Sequence, residues 1–463
     1  MKLESGGERC VVRSNIQPSN VAQSFVQKRI LQRPLGSAGD RVDAGRRLRK
    51  QLPRQEQSHW VPSNDRPDPL VTLAAATEDR VARLLPEKNR RMRRSAFTFF
   101  RGAAPLMASD LSRLPRTGIT VQLAGDAHVR NLGAYASPDG RLVFDINDFD
   151  ETIPGPWEWD LKRLATSLVL AGEESEQPAS RRREAVRALV ASYRAHMRTF
   201  SQMPVAGLAR HLITRGREEP VLDEILDDAR RVTPAKNLQR LVVARGGMFR
   251  FHDRRPVLEH VSRRVSAEVV RSLTSYRETL NASRRRTFDA YRPVDVAFKI
   301  VGTGSVGTRD YVVLLFGNNA GDPLFLQVKQ ELPSCYATYL RAAPRANHQG
   351  RRVAEGQQMM QTVSDPFLGW TRFGGYDYLV RQLADHKAGL EPTELTDRTL
   401  LAYARLCGDV LAKGQARTGD AAMIAGYAGS SSRLDKAIAQ FATAYAEQTK
   451  SDYRRFTRWL RPR

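Results

Sequence analysis

A glycine-rich hexad set between two β-rich runs constrains this chain more than any other feature. Residues 294–302 (VDVAFKIVG) lead into Gly302-Thr303-Gly304-Ser305-Val306-Gly307, and residues 311–316 (YVVLLF) follow almost at once. A dinucleotide-binding fold needs a helix after such glycines. A second β run makes the hexad the loop of a hairpin instead. Residues 324–330 (LFLQVKQ), beyond another glycine-containing turn, extend it to an antiparallel meander. A further strand is expected at 376–383.

Elsewhere the periodicity is helical. Apolar residues recur at helical spacing from Asp68 through Leu85, around Phe97, Phe99 and Phe100, and over 157–171, 181–200, 348–363, 395–416 and 433–460. Residues 119–123 read as a strand, and SPDG (137–140) as the turn that separates it from a second strand at 141–148. Residues 201–290 read as helical and charged. The chain is therefore expected to be α+β, with 41% hydrophobic residues to form a sizeable core. No apolar run approaches the length of a bilayer span, and the first residues lack the apolar stretch of a signal peptide, so a cytoplasmic protein is expected. Three widely spaced cysteines make neither a disulfide framework nor a CxxC site. The formal net charge of +24 comes mostly from arginines spread along the whole chain. That pattern reads as a solvated surface, with nucleic acid or anionic lipid as the alternative partner.

Two constellations carry chemistry. The first is Asp126, His128 and Asn131, followed by Asp148 and Asp150 around a second strand. Asp126 and Asn131, five residues apart at a strand end, can face one cleft, and the second strand brings Asp148 and Asp150 alongside. Carboxylates and an amide are hard oxygen ligands that suit Mg²⁺ rather than zinc. The second constellation is Gly302, Gly304, Ser305 and Gly307, with Lys329 on the next strand and Glu355 on the helix after it. Glycines in a hairpin loop let backbone N–H groups approach a nucleotide. A strand lysine then meets the phosphates, and a helix glutamate pairs with that lysine. Asp420 is expected to cap a helix.

Together these residues resemble the protein-kinase-like superfamily, in particular small-molecule kinases of the aminoglycoside and choline phosphotransferase type. The resemblance implies Asp126 as catalytic base, with His128 beside it, and Asn131, Asp148 and Asp150 around Mg²⁺. It also implies a glycine loop and Lys329 on ATP, and Asp160 as the helix-start residue that supports the catalytic loop. Ala124 stands where a histidine usually precedes Gly-Asp. The order of the halves is inverted, so the implied fold is a circularly permuted, bilobal one. Over the chain from about residue 60, FTFFRGAA, GDAHVRNLGAY, FDINDFDET, WEWDLKRLATSL and GTGSVGTRDYVVLL resemble a bacterial domain-of-unknown-function family, number 2252. Gln415 stands where that family commonly carries a histidine.

The implied organisation is a flexible basic arm over 1–65 with at most a short helix near 21–31, and a helical lobe over 66–290 bearing the acidic motifs. A nucleotide-binding β lobe follows over 291–390, then C-terminal helices over 391–463 that pack on the helical lobe. The implied function is ATP-dependent, Mg²⁺-dependent phosphoryl transfer to a small-molecule hydroxyl acceptor. Nucleotidyl transfer, a pseudokinase and a basic binding module are the alternatives.

Overall fold

The computed structural model describes residues 36–214, 220–300, 302–340, 343, 345–383 and 387–461. The short helix expected near 21–31 lies outside them. The described chain is mixed α+β, and its strands form several small antiparallel sheets.

In the helical part, strand β1 (Thr120–Leu123) pairs with β4 (Ile153–Pro156), and β2 (Leu132–Ala136) with β3 (Leu142–Ile146), all antiparallel. The SPDG turn does form a hairpin, but its first arm is β2 and not residues 119–123. The acidic loop, with a helical turn at Val129–Asn131, separates β1 from the hairpin, and β1 pairs with β4 instead. Helix Trp157–Glu174 leaves β4 directly and is buried along nearly its whole length. Around it pack helices Ala179–Gln202, Asp397–Thr418 and Arg433–Trp459. Leu164, Leu168, Leu189, Tyr193, Val410, Leu411, Ile438 and Phe441 belong to their common core. Burial of each such side chain contributes about 1.5–3 kcal/mol.

Residues 201–290 are less uniformly helical than their pattern suggests. They contain a hairpin, β5 (Val242–Arg245) and β6 (Met248–Phe251), and the short strand β7 (Leu258–His260). Strand β7 edges a six-stranded antiparallel sheet completed by β8 (Arg292–Lys299), β9 (Asp310–Phe316), β10 (Pro323–Gln330), β11 (Gly369–Phe373) and β12 (Tyr376–Gln382). The order across the sheet is β11-β12-β10-β9-β8-β7, so the meander read from sequence is its centre. Strand β9 is buried on both faces. Val313 and Leu315 pack toward helix Arg263–Arg277, while Val312 and Leu314 pack toward the β5–β6 hairpin. A two-residue side-chain period on a doubly covered strand produces this continuous apolar run.

Residues 36–65 correct the expectation of a flexible arm as far as residue 65. Ala38–Gln51 is a helix with a Ser37–Asp40 capping box. It lies against helix Ala421–Ala428 through two glycines. A Cβ on Gly45 would come within 2.0 Å of the Met423 carbonyl oxygen, and one on Gly426 within 2.1 Å of the Val42 carbonyl. Backbone approach of this kind needs no apolar stripe, so the helix shows no hydrophobic period. No helix among the described residues is long and apolar enough to cross a membrane.

Candidate functional site

The loop after β1 is held from beneath by one face of helix Trp157–Glu174. Asp160, in its first turn, accepts the N–H of Ala124 (2.8 Å) and of Gly125 (3.0 Å) through its two carboxylate oxygens. Burial pushes its pKa up to about 6 against those hydrogen bonds. Three residues on, the fully buried Arg163 donates from Nε (2.7 Å) and Nη2 (2.5 Å) to Asp126 Oδ1, and from Nη2 to the Phe100 carbonyl (3.2 Å). Ser167, one turn further, accepts Val129 N–H. Gly125 has φ +82°, and a Cβ there would lie 2.3 Å from the Glu151 carbonyl oxygen. Only glycine fits where the loop passes the next strand connection.

Asp126 is thus fixed through one oxygen. Its other oxygen, Oδ2, lies 3.8 Å from His128 Nε2. His128 Nδ1 accepts the Arg130 N–H, which leaves the ring proton on Nε2, facing the carboxylate. Burial, then Arg101, Arg163 and Arg130, push the imidazole pKa well down, so it is neutral. Asn131 donates from Nδ2 to the Asp126 carbonyl (3.0 Å) and accepts Asn147 N–H at its own carbonyl.

Strand β3 and the turn after it divide their acids. Asp145 points into the core and pairs with buried Lys413 of helix Asp397–Thr418. Asp148 and Asp150 face the opposite way, toward Lys329 at the end of β10. Lys329 Nζ is ion-paired with Asp150 Oδ2 and stands 3.9 Å from Asp148 Oδ1. Burial and its acidic neighbour raise the Asp148 pKa, whereas Lys329 holds Asp150 below the usual carboxylate range despite burial. Glu331, two residues after Lys329, is buried with its pKa raised well above the ordinary value by burial and by Asp150.

The glycine loop between β8 and β9 covers these groups. A Cβ on Gly304 would lie 3.9 Å from Asp126 Oδ2, and Ser305 Oγ donates to Asp150 Oδ2 (2.9 Å). The loop is held from its far side by a basic segment. Arg80 donates to the carbonyls of Gly304 (2.8 Å) and Val306 (2.7 Å), Lys88 to that of Gly304 (3.1 Å), and Arg91 to that of Gly302. Lys88 is buried, and burial and then Arg80 push its pKa well down.

A cleft of about 620 Å³ results, lined by Asp126, His128, Asn131, Asp148, Asp150, Gly302, Gly304, Ser305 and Lys329. Nine of the eleven expected site residues therefore meet in one place. Gly307 stands behind the loop, against the Arg80 side chain. Glu355 corrects the expected lysine–glutamate pair. It lies on the outer face of helix Gln349–Met360 and pairs with Arg351 one turn away (2.7 Å), while Val353, Ala354 and Gln357 occupy the buried face. Lys329 has Asp150 as its partner instead. Asp420 caps helix Ala421–Ala428 by accepting the N–H groups of Ala422 and Met423. Gln415 is a core residue, bonded to the Tyr193 hydroxyl and the Trp157 carbonyl.

Sequence reasoning missed Arg163, Arg80, Lys88, Asn147 and Glu331. Arg163 carried a signal, since it follows Asp160 by three residues and shares its helix face. Arg80 and Lys88 carried none, because they bind backbone carbonyls.

The donor set can be tested against a divalent cation. Asp148 Oδ1 and Asp150 Oδ1 are buried and without a hydrogen-bond donor. Among the described residues, no group of three or more His, Cys, Asp and Glu side chains forms a metal nest. Two carboxylates and the Asn131 amide fit Mg²⁺, which takes one or two carboxylates and fills its shell from water and phosphate.

The fold and this cleft define a mixed α+β protein whose acidic loops and glycine loop come from different antiparallel sheets. By its match over residues 80–459, the chain belongs to the family described as an uncharacterised protein conserved in bacteria (DUF2252). No curated protein and no solved structure matches it.

Proposed function

We propose that the protein is a Mg²⁺-dependent phosphotransferase of the protein-kinase-like type, with its halves in circularly permuted order. It would transfer the γ-phosphoryl group of ATP to the hydroxyl of a small molecule. Convergence carries this reading. Asp126, Asn131, Asp148 and Asp150 come from residues 120–156, the glycine loop and Lys329 from 302–329, and all line one cleft. Support also comes from the order within the sheet lobe, where a glycine-loop hairpin precedes a lysine strand and then a helix, as in kinases.

In this reading Asp126 Oδ2 takes the acceptor's proton as the acceptor oxygen bonds to phosphorus and the bond to the ADP oxygen breaks. Arg163 and His128 keep that carboxylate in place. Asp148, Asp150 and Asn131 would hold Mg²⁺, which when bound neutralises phosphate charge. Lys329 exchanges Asp150 for a phosphate oxygen when nucleotide enters. Catalysis is then positioning and electrostatics.

A nucleotide sensor without turnover is the second reading, favoured by the Arg163–Asp126 pair, which ties up one oxygen of the base. Thermal stability with and without Mg·ATP tests the site. At 100 times the dissociation constant, a nucleotide adds about 2.7 kcal/mol. A Mg²⁺-dependent shift is expected in wild type and its loss in Asp148→Asn, whereas no shift at saturation overturns both readings. Turnover abolished by Asp126→Ala then separates enzyme from sensor.

A further inference from the structure

We propose, resting on the phosphotransfer reading for the identity of the acceptor, that the acceptor is an anion and that Arg101 receives its oxyanion in the cleft beside Asp126 and His128. Three cations at the site have a carboxylate of their own, while Arg80 and Lys88 hold carbonyls of the glycine loop and Arg381 bonds Gln327 and the Asn147 carbonyl. Arg163 is on Asp126, Lys329 on Asp150, and Arg130 on Glu391 at 2.5 Å. Arg101, at the end of helix Ala96–Gly102, has no carboxylate partner among the described residues. It lines the cleft, its Nε–H is buried without an acceptor, and its nearest aromatic contact is the Phe97 ring at 5.9 Å. Arg130 lines the same cleft, and its Nε is likewise buried without an acceptor.

A guanidinium does not shed its charge, so burial without a counterion is costly, and a bound oxyanion relieves that cost. Burial and then the nearby Arg130 depress the Arg101 pKa, against Asp126, Glu391 and Asp148, which raise it. Arg101 also lines a second pocket of about 400 Å³, where Arg90, Arg91 and Arg94 outnumber the one carboxylate, Glu87. This gives an anion a positively charged approach to Arg101. Aminoglycosides and choline are cations, and a cationic acceptor would meet Arg101 and Arg130 head-on. Phosphate esters and carboxylates share the required oxyanion chemistry.

The test titrates inorganic phosphate and, separately, acetate into the protein at constant ionic strength, following thermal stability. Wild type, Arg101→Gln and Arg101→Lys are compared, each without nucleotide and with saturating Mg·AMP-PNP. The expected result is a phosphate dissociation constant raised at least about tenfold in Arg101→Gln and partly restored in Arg101→Lys, with phosphate still binding when AMP-PNP is present. A stronger response to acetate assigns a carboxylate acceptor, and one to phosphate a phosphate ester. Unliganded Arg101→Gln should melt no lower than wild type, since it removes a desolvated charge that makes no hydrogen bond. Phosphate binding unaffected by Arg101→Gln overturns the anion site. Phosphate displaced by AMP-PNP, together with loss of AMP-PNP binding in Arg101→Gln, places Arg101 on the triphosphate and overturns the acceptor assignment. Arg101-dependent phosphate binding in a protein that ignores AMP-PNP supports the anion site while defeating phosphotransfer.

Discussion

The floor and the roof of the cleft are built differently. The floor loop, residues 124–131, hangs from Asp160, Arg163 and Ser167, three side chains buried in the central helix of the larger core. The roof, the glycine loop, is held through its carbonyls by Arg80, Lys88 and Arg91, of which Arg80 and Arg91 are only half-buried. The floor therefore belongs to the cooperative unit of the fold and can move only if the helix does. The roof can open locally, at the cost of a few hydrogen bonds that water can replace. Such a division leaves the Asp126 carboxylate fixed while the glycine loop opens.

Breaking the floor should have the largest effect. Arg163→Met leaves the Asp126 carboxylate without its partner and the Phe100 carbonyl without a donor. Removing one member of a buried pair costs about 3–5 kcal/mol, and urea unfolding should show a loss of that size across the whole protein. A loss below about 1 kcal/mol would mean that the floor is not part of the cooperative core.

Breaking the roof should do less, and locally. Arg80→Ala removes charge-assisted hydrogen bonds to Gly304 and Val306. Global stability should fall by about 1–2 kcal/mol. Amide exchange at residues 302–308 should quicken by about tenfold or more while the floor amides stay protected. Equal acceleration in both segments would erase the distinction between them.

What could be read from sequence follows the same division between side-chain pattern and backbone contact. The meander was legible because β9 and β10 are apolar runs bounded by glycine turns, and the acids were legible because Asp126, Asn131, Asp148 and Asp150 cluster at strand ends. Strand β2 was not, since LGAYA has no alternation and pairs through its backbone. The helix Ala38–Gln51 was hidden because Gly45 is its one buried residue. Asp145 lies only three and five residues before Asp148 and Asp150. Its role is decided by Lys413, 268 residues away, which draws it into the core.

Glu355 gives the finest test, because the kinase-like pattern and the structure assign it opposite roles. As a partner of buried Lys329 it would anchor the roof lysine, and Glu355→Gln would cost several kcal/mol and weaken any nucleotide response. In the structure it is a half-exposed residue in an i, i+4 pair with Arg351. Pairs of that kind are worth about 0.3–0.5 kcal/mol. Glu355→Gln should therefore shift unfolding by no more than about 0.5 kcal/mol and leave the Mg·ATP response of wild type intact. Lys329 keeps Asp150 as its partner in either protein, so the variant isolates the helix contact alone. A nucleotide response that falls with Glu355→Gln would mean that ligand binding swings helix Gln349–Met360 inward and hands Lys329 from Asp150 to Glu355. The roof would then include this helix as a moving part, and the boundary between fixed floor and mobile roof would run along β10.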